Sequence, residues 1–84
     1  MDECKYIIYS TPTCPFCGDA VALLESLNKR YDVVVFENSS PALEDVKRAY
    51  EWKTVPMVFK VSGDGSIEFI GGFSDLKKHM EEAT

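Results

Sequence analysis

Lys5-Tyr6-Ile7-Ile8-Tyr9-Ser10-Thr11-Pro12-Thr13-Cys14-Pro15-Phe16-Cys17 is the stretch that decides the fold. Lys5 to Ser10 is an apolar run rich in β-branched and aromatic side chains, and Thr11-Pro12-Thr13 ends it with turn chemistry, so it reads as a buried strand. From Pro15 onward, Ala20, Leu23, Leu24, Leu27 and Tyr31 recur at intervals of three and four residues, which predicts a helix with one apolar face, ending near Arg30. Asp32 to Glu37 reads as a second strand. Its centre, Val33-Val34-Val35-Phe36, is apolar throughout, and burial on both faces beside a parallel first strand is expected. Strand, helix and strand make one βαβ unit with a right-handed crossover.

Downstream, Asn38-Ser39-Ser40-Pro41 is a loop in which Ser40 can cap a helix that Pro41 begins, with Leu43, Val46 and Tyr50 on one face and an end near Glu51. Thr54 to Val61, the turn Ser62-Gly63-Asp64-Gly65 and Ser66 to Ile70 read as an antiparallel hairpin. Gly71-Gly72 breaks the second hairpin strand, and Leu76 with Met80 gives a short last helix that Ser74 can cap. The predicted order is βαβαββα, an α/β fold in one domain over residues 1–84, with no repeat or linker.

The Cys14-Pro15-Phe16-Cys17 turn lies where the first strand hands over to the first helix, the context in which a Cys-x-x-Cys pair is a redox motif. With Pro15 at the first helical position, Cys14 is the N-cap, and its sulfur is expected to accept hydrogen bonds from the free N–H groups of Phe16 and Cys17. Those donors and the helix dipole favour thiolate, which makes Cys14 the nucleophile. Cys17, one turn further in and more buried, becomes the resolving thiol. Two unrelated cysteines, or half of a metal site, are the competing readings. A zinc site needs four ligands, for which the chain offers only Cys4, Cys14, Cys17 and His79, with no second Cys-x-x-Cys. Cys4 reads as a packed or idle thiol at the edge of the first strand, and His79 as solvated on the last helix. Val55-Pro56 opens a strand at the position proline tolerates. Propensity alone favours a trans bond there, since about 5–6% of X–Pro bonds are cis. Gly71-Gly72 before a helix start could hold an anion, although without further context a plain loop and cap is the favoured reading.

The chain has 84 residues, with 14 Asp and Glu against 9 Lys and Arg, a formal charge of −5 that argues against nucleic acid as a partner. Hydrophobic residues at 45% and charged residues at 27% give the balance of a chain that folds rather than one that stays disordered. The apolar runs Ala20–Leu24 and Val33–Phe36 fall short of the ~18 residues a membrane span needs. Met1-Asp2-Glu3 carries acids where a secretory leader carries bases, so the expected compartment is the cytosol, where three cysteines, an odd number, remain thiols. A single chain is expected to act as a monomer.

Taken in order, Cys14-Pro15-Phe16-Cys17, Thr54-Val55-Pro56 and Gly71-Gly72-Phe73-Ser74-Asp75-Leu76 resemble the three motifs of a dithiol glutaredoxin of the thioredoxin superfamily, over nearly the whole length. The resemblance implies a four-stranded mixed sheet flanked by three helices, with Pro56 in the cis form beside Cys14 and Pro15 and Phe16 supporting the dithiol. It also implies a glutathione site: Val55 offers its backbone to the cysteinyl part, Ser74 and Asp75 hold the γ-glutamyl end, Lys53 faces the glycyl carboxylate, and Thr54 and Gly72 complete the set. Two positions depart from the family pattern. Thr11 stands where Lys or Arg is usual, and Asp19 stands where a basic residue is common, placing negative charge in the first helical turn. Both oppose thiolate formation and the binding of glutathione's carboxylates.

The implied function is glutathione-dependent thiol–disulfide oxidoreduction, with glutathione as reductant, proteins bearing disulfides or glutathionyl groups as substrates, and no metal or nucleotide. An electron donor recharged by thioredoxin reductase is the alternative that Thr11 keeps open. An iron–sulfur carrier is a different class, which Pro15 argues against because cluster-binding relatives usually have Ser or Gly there. A non-catalytic adaptor is the remaining reading.

Overall fold

The structure, a computed structural model, describes residues 4–83; Met1-Asp2-Glu3, the segment whose acids argue against a secretory leader, lie outside the described residues. The elements are β1 (Lys5–Ser10), α1 (Pro15–Ser26), β2 (Arg30–Val35), α2 (Pro41–Ala49), β3 (Met57–Val61), β4 (Ile67–Gly71) and α3 (Phe73–Ala83). They form one mixed sheet in the order β2-β1-β3-β4, with β1 and β2 parallel and the other pairs antiparallel. This is the thioredoxin-like arrangement expected from the resemblance.

The period-two alternation of β1 serves two cores at once. Tyr6 and Ile8 face one side, where Ala20 and Leu24 of α1, Val58 of β3, and Leu76 and Met80 of α3 close over them. Ile7 and Tyr9 face the other side, toward Leu43 and Val46 of α2 with Met57 and Phe59 of β3. Helices therefore cover both faces, α1 and α3 together on one and α2 on the other. The second core is aromatic: Tyr9 meets Phe36 at 5.1 Å and Phe59 at 4.9 Å between ring centroids, and Phe59 meets Phe69 at 5.1 Å.

Both inter-strand helices stop earlier than their apolar periodicity predicts, and for one reason. Periodicity carries the first to about Arg30, whereas α1 ends at Ser26, because Asn28 takes a left-handed φ of 57° and the Lys29 N–H donates back to the Leu24 carbonyl at 2.9 Å. Likewise α2 ends at Ala49, two residues short of Glu51: Glu51 has φ 53°, and the Trp52 N–H donates to the Lys47 carbonyl at 2.8 Å. At its other end α2 is capped as expected. The Leu43 N–H donates to Ser40 Oγ at 3.4 Å, and Pro41 takes the first turn. Ser40→Ala is expected to cost about 0.5–1 kcal/mol, read as a fall of a few degrees in melting temperature by calorimetry.

Three expectations about position are corrected. The hairpin strands run Met57–Val61 and Ile67–Gly71 rather than Thr54–Val61 and Ser66–Ile70, the first starting only after Pro56, which has no N–H to give the ladder. The second strand runs Arg30–Val35 rather than Asp32–Glu37, and burial on both faces fails: all its residues but Tyr31 are exposed. It is one of the two edge strands, so an apolar run that would suit the middle of a parallel sheet lies at its rim. The last helix begins at Phe73, so Ser74 lies inside it, exposed, instead of capping it. Gly72 holds the cap position. Its carbonyl accepts from the Leu76 N–H at 2.9 Å, while its own N–H donates to Asp75 Oδ2 at 3.1 Å.

Candidate active site

Cys14 is the N-cap of α1, with an extended backbone (φ −106°, ψ 104°), and Pro15 follows in the first turn, where its missing N–H costs no hydrogen bond. The expected hydrogen bonds from amides to the Cys14 sulfur are not formed. That sulfur is bonded instead to Cys17, across a Cα–Cα distance of 5.4 Å, so the structure holds the oxidised form of the pair. Cys17 is 6% exposed and Cys14 half-buried, which makes Cys14 the outer sulfur, in the order expected from the sequence. Negative charge in the first turn is also corrected. That turn holds no acid, and Asp19 sits exposed one turn further on. Thr13, just before the pair, donates its hydroxyl to Asn38 Oδ1 at 3.4 Å and ties this loop to the one after β2.

Beside the pair runs a groove of about 330 Å³. One wall is Phe16 and Phe73, whose rings stack with centroids 6.3 Å apart and planes 24° from parallel. The floor is Thr54, Val55 and Pro56, with the Val55–Pro56 bond cis, as the resemblance implied and propensity alone did not. Gly72, Ser74 and Asp75 close the far end, and Asp75 is the only charged residue among the described lining. Gly71 makes that corner possible. With φ +126° it occupies backbone space that L side chains rarely enter, and a Cβ there would stand 2.5 Å from Asp75 Oδ2.

Of the expected set, then, Phe16, Thr54, Val55, Pro56, Gly72, Ser74 and Asp75 come together on one groove next to the dithiol. Lys53 does not line it. Lys53 lies on an adjoining groove of about 480 Å³ with Lys47, Arg48, Glu44 and Glu51, and Trp52 forms the wall common to both. Trp52 lies outside the sequence motifs, and Phe73 stands inside the third of them with no role assigned to it. The turn at Glu51 that ends α2 delivers Trp52 to this wall, where its ring packs edge-on to Phe69 at 5.2 Å and its indole N–H is buried without a hydrogen-bond partner among the described residues. The pointer in the sequence was a lone Trp two residues before Thr54 in an otherwise polar segment.

The other singled-out side chains lie elsewhere. His79 is half-buried rather than solvated, its ring edge-on to Tyr6 at 6.3 Å. Cys4 is a half-buried free thiol, and burial, with the neighbouring Cys4 and Glu68 adding to it, pushes the Tyr6 phenol above its ordinary value. Among the described residues no three His, Cys, Asp or Glu cluster to hold a metal ion, and no helix is long and apolar enough to cross a membrane.

Comparison with known proteins agrees with this geometry. The glutaredoxin family model matches residues 6–65. A glutaredoxin from Ricinus communis is 33% identical over 89% of this chain and 72% of its own length. A probable glutaredoxin from Acanthamoeba polyphaga mimivirus is 28% identical over 95% of this chain and 81% of its own. Among solved structures, glutaredoxin 1 from Francisella tularensis, determined in complex with cacodylate, superposes with a TM-score of 0.74 at 25% identity, covering 95% of each chain.

Proposed function

The chain belongs to the glutaredoxin family and is a thiol–disulfide oxidoreductase, and from that premise we propose that it draws its electrons from glutathione and spends them on disulfide-bearing or glutathionylated proteins. The observation that carries the reading is a disulfide at the strand-to-helix turn whose outer sulfur belongs to Cys14. In the forward reaction the Cys14 thiolate attacks one sulfur of the substrate disulfide; a Cys14–substrate disulfide forms and the other substrate sulfur leaves as a thiolate that takes up a proton. Cys17, giving up its proton, then attacks the Cys14 sulfur. The second substrate thiol leaves, and the Cys14–Cys17 bond remains. One glutathione thiolate reopens that bond by forming a glutathionyl–Cys14 disulfide and releasing Cys17, and a second removes the first as oxidised glutathione.

In this proposal Pro15 and Phe16 hold the turn, Pro56 shapes the floor, and Val55 with Thr54 aligns the cysteinyl backbone. Gly72, Ser74 and Asp75 hold the γ-glutamyl end. Lys53 reaches the glycyl carboxylate from the adjoining groove, across Trp52. The protein works as one domain over residues 1–84 in the cytosol, without a nucleic-acid or membrane partner, and without a metal or nucleotide. Asp75 as the groove's one charge suits an ammonium group and gives a carboxylate nothing to pair with.

Coupled assays test the reductant. Electrons from NADPH are expected to reach a disulfide substrate when glutathione and glutathione reductase are supplied. Transfer that runs with thioredoxin reductase alone and ignores glutathione would replace glutathione as donor while leaving the dithiol chemistry intact. The missing cation gives a second expectation. Thr11→Lys should move the midpoint of the Cys14 alkylation rate, followed against pH in the reduced protein, to lower pH. An unmoved midpoint would show that backbone amides alone set the reactivity of this sulfur.

A further inference from the structure

β2 is an edge strand of the sheet, no strand pairs with its outer side among the described residues, and it carries Val33, Val34 and Val35 at 40%, 39% and 61% exposure. Charged side chains, a proline or a bulge usually blunt such an edge; β2 carries Arg30 and Asp32 in its first half and none of these from Val33 to Val35. The hydrogen-bond phase of the edge is fixed. The Phe36 N–H donates inward to the Ser10 carbonyl at 2.8 Å, so even-numbered residues turn their backbone groups toward β1, while Tyr31, Val33 and Val35 turn theirs outward.

We propose that this edge pairs antiparallel with the same edge of a second copy of the chain, about a two-fold axis normal to the sheet, with Val33 opposite Val33. In that register every outward backbone group meets an outward one: Tyr31 faces Val35 of the second copy, and Val35 faces its Tyr31. The charges then choose between neighbouring registers. Centred on Val33, the pairing sets Lys29 opposite Glu37 of the second copy at both ends. Centred one residue earlier it sets Asp32 against Asp32, and one residue later it sets Tyr31 against Glu37 and Lys29 against Ser39. The contact is isologous and closed, so it makes dimers and not fibres, joining two four-stranded sheets into one. The monomer expected from the sequence becomes the dissociated form.

Sedimentation equilibrium of the full chain over a concentration series tests the pairing, with reductant present so that no disulfide between copies contributes. The weight-average mass is expected to climb from 9.4 kDa toward twice that value. Val33→Lys, which sets two ammonium groups face to face on the axis, is expected to hold the mass at one chain. Since a strand substitution can unsettle the sheet itself, charge reversal outside the strand decides the matter. Lys29→Glu or Glu37→Lys alone should weaken association roughly 3- to 10-fold, and the two together should restore it. A mass fixed at one chain throughout overturns the proposal. So does association that ignores the single reversals or is not restored by the double one.

Discussion

Cys17→Ser is expected to keep reducing a glutathionyl mixed disulfide and to stop reducing an intramolecular protein disulfide, while Cys14→Ser loses both by on the order of 10²–10³-fold or more, the scale of removing a reacting group rather than a contact. The asymmetry follows from position. Cys14 is the outer sulfur and, in the proposed reaction, the one that meets the substrate; Cys17, 6% exposed, is placed there to attack only a sulfur already attached to Cys14. A glutathionyl–Cys14 disulfide can be opened by a second glutathione, so the inner thiol is dispensable there. A protein held on Cys14 leaves quickly only when a neighbouring thiol displaces it, since that attack is intramolecular. Steady-state rates on both substrates, with melting temperatures to confirm that each variant is folded, check the assignment. Loss of both activities in Cys17→Ser alone would contradict it.

Leu24→Ala is expected to cost about 2–5 kcal/mol, because Leu24 is fully buried between α1 and the sheet and its removal leaves a cavity that rigid neighbours only partly fill. Against a total stability of roughly 5–15 kcal/mol for a small domain, that is a large share, read as a fall in melting temperature of roughly 10 °C or more. Leu27, three residues on and in the same apolar series, provides the comparison. It is exposed at the end of α1, and Leu27→Ala should change stability by no more than about 0.5 kcal/mol. Equal losses at the two leucines would mean that α1 continues past Ser26 in solution.

The features legible in the sequence and those hidden from it divide along physical lines. Local signals carry far: β1 matches to the residue, as do the Ser40 cap and Pro41 start of α2, the Leu76–Met80 stripe is buried, and the hairpin is antiparallel with its turn in place, though its first strand starts at Met57 rather than Thr54. Side-chain periodicity does not record where a helix unwinds through a left-handed Asn28 or Glu51, since neither is the glycine that usually marks such a stop. Nor does it record strand order. Val33-Val34-Val35 is the same sequence whether it lies in the middle of a sheet or at its rim, and only the pairing of β1 with β3 pushes β2 outside. At the site, the motifs located the dithiol turn and most of the groove, and the cis Val55–Pro56 bond came from the resemblance. Trp52, outside the motifs, and Phe73, inside the third but without a role there, reach the groove through tertiary packing that the sequence does not record. Asp75, expected to serve the ligand, already spends one oxygen on the Gly72 N–H.

Trp52 is the chain's single tryptophan, and it lines both grooves, one of which it shares with Phe16 of the dithiol turn. Indole emission from this protein therefore has one source, and that source lines the groove proposed to take the substrate. Occupancy of either groove can be titrated optically on the unlabelled chain, with no dye near the reacting sulfurs.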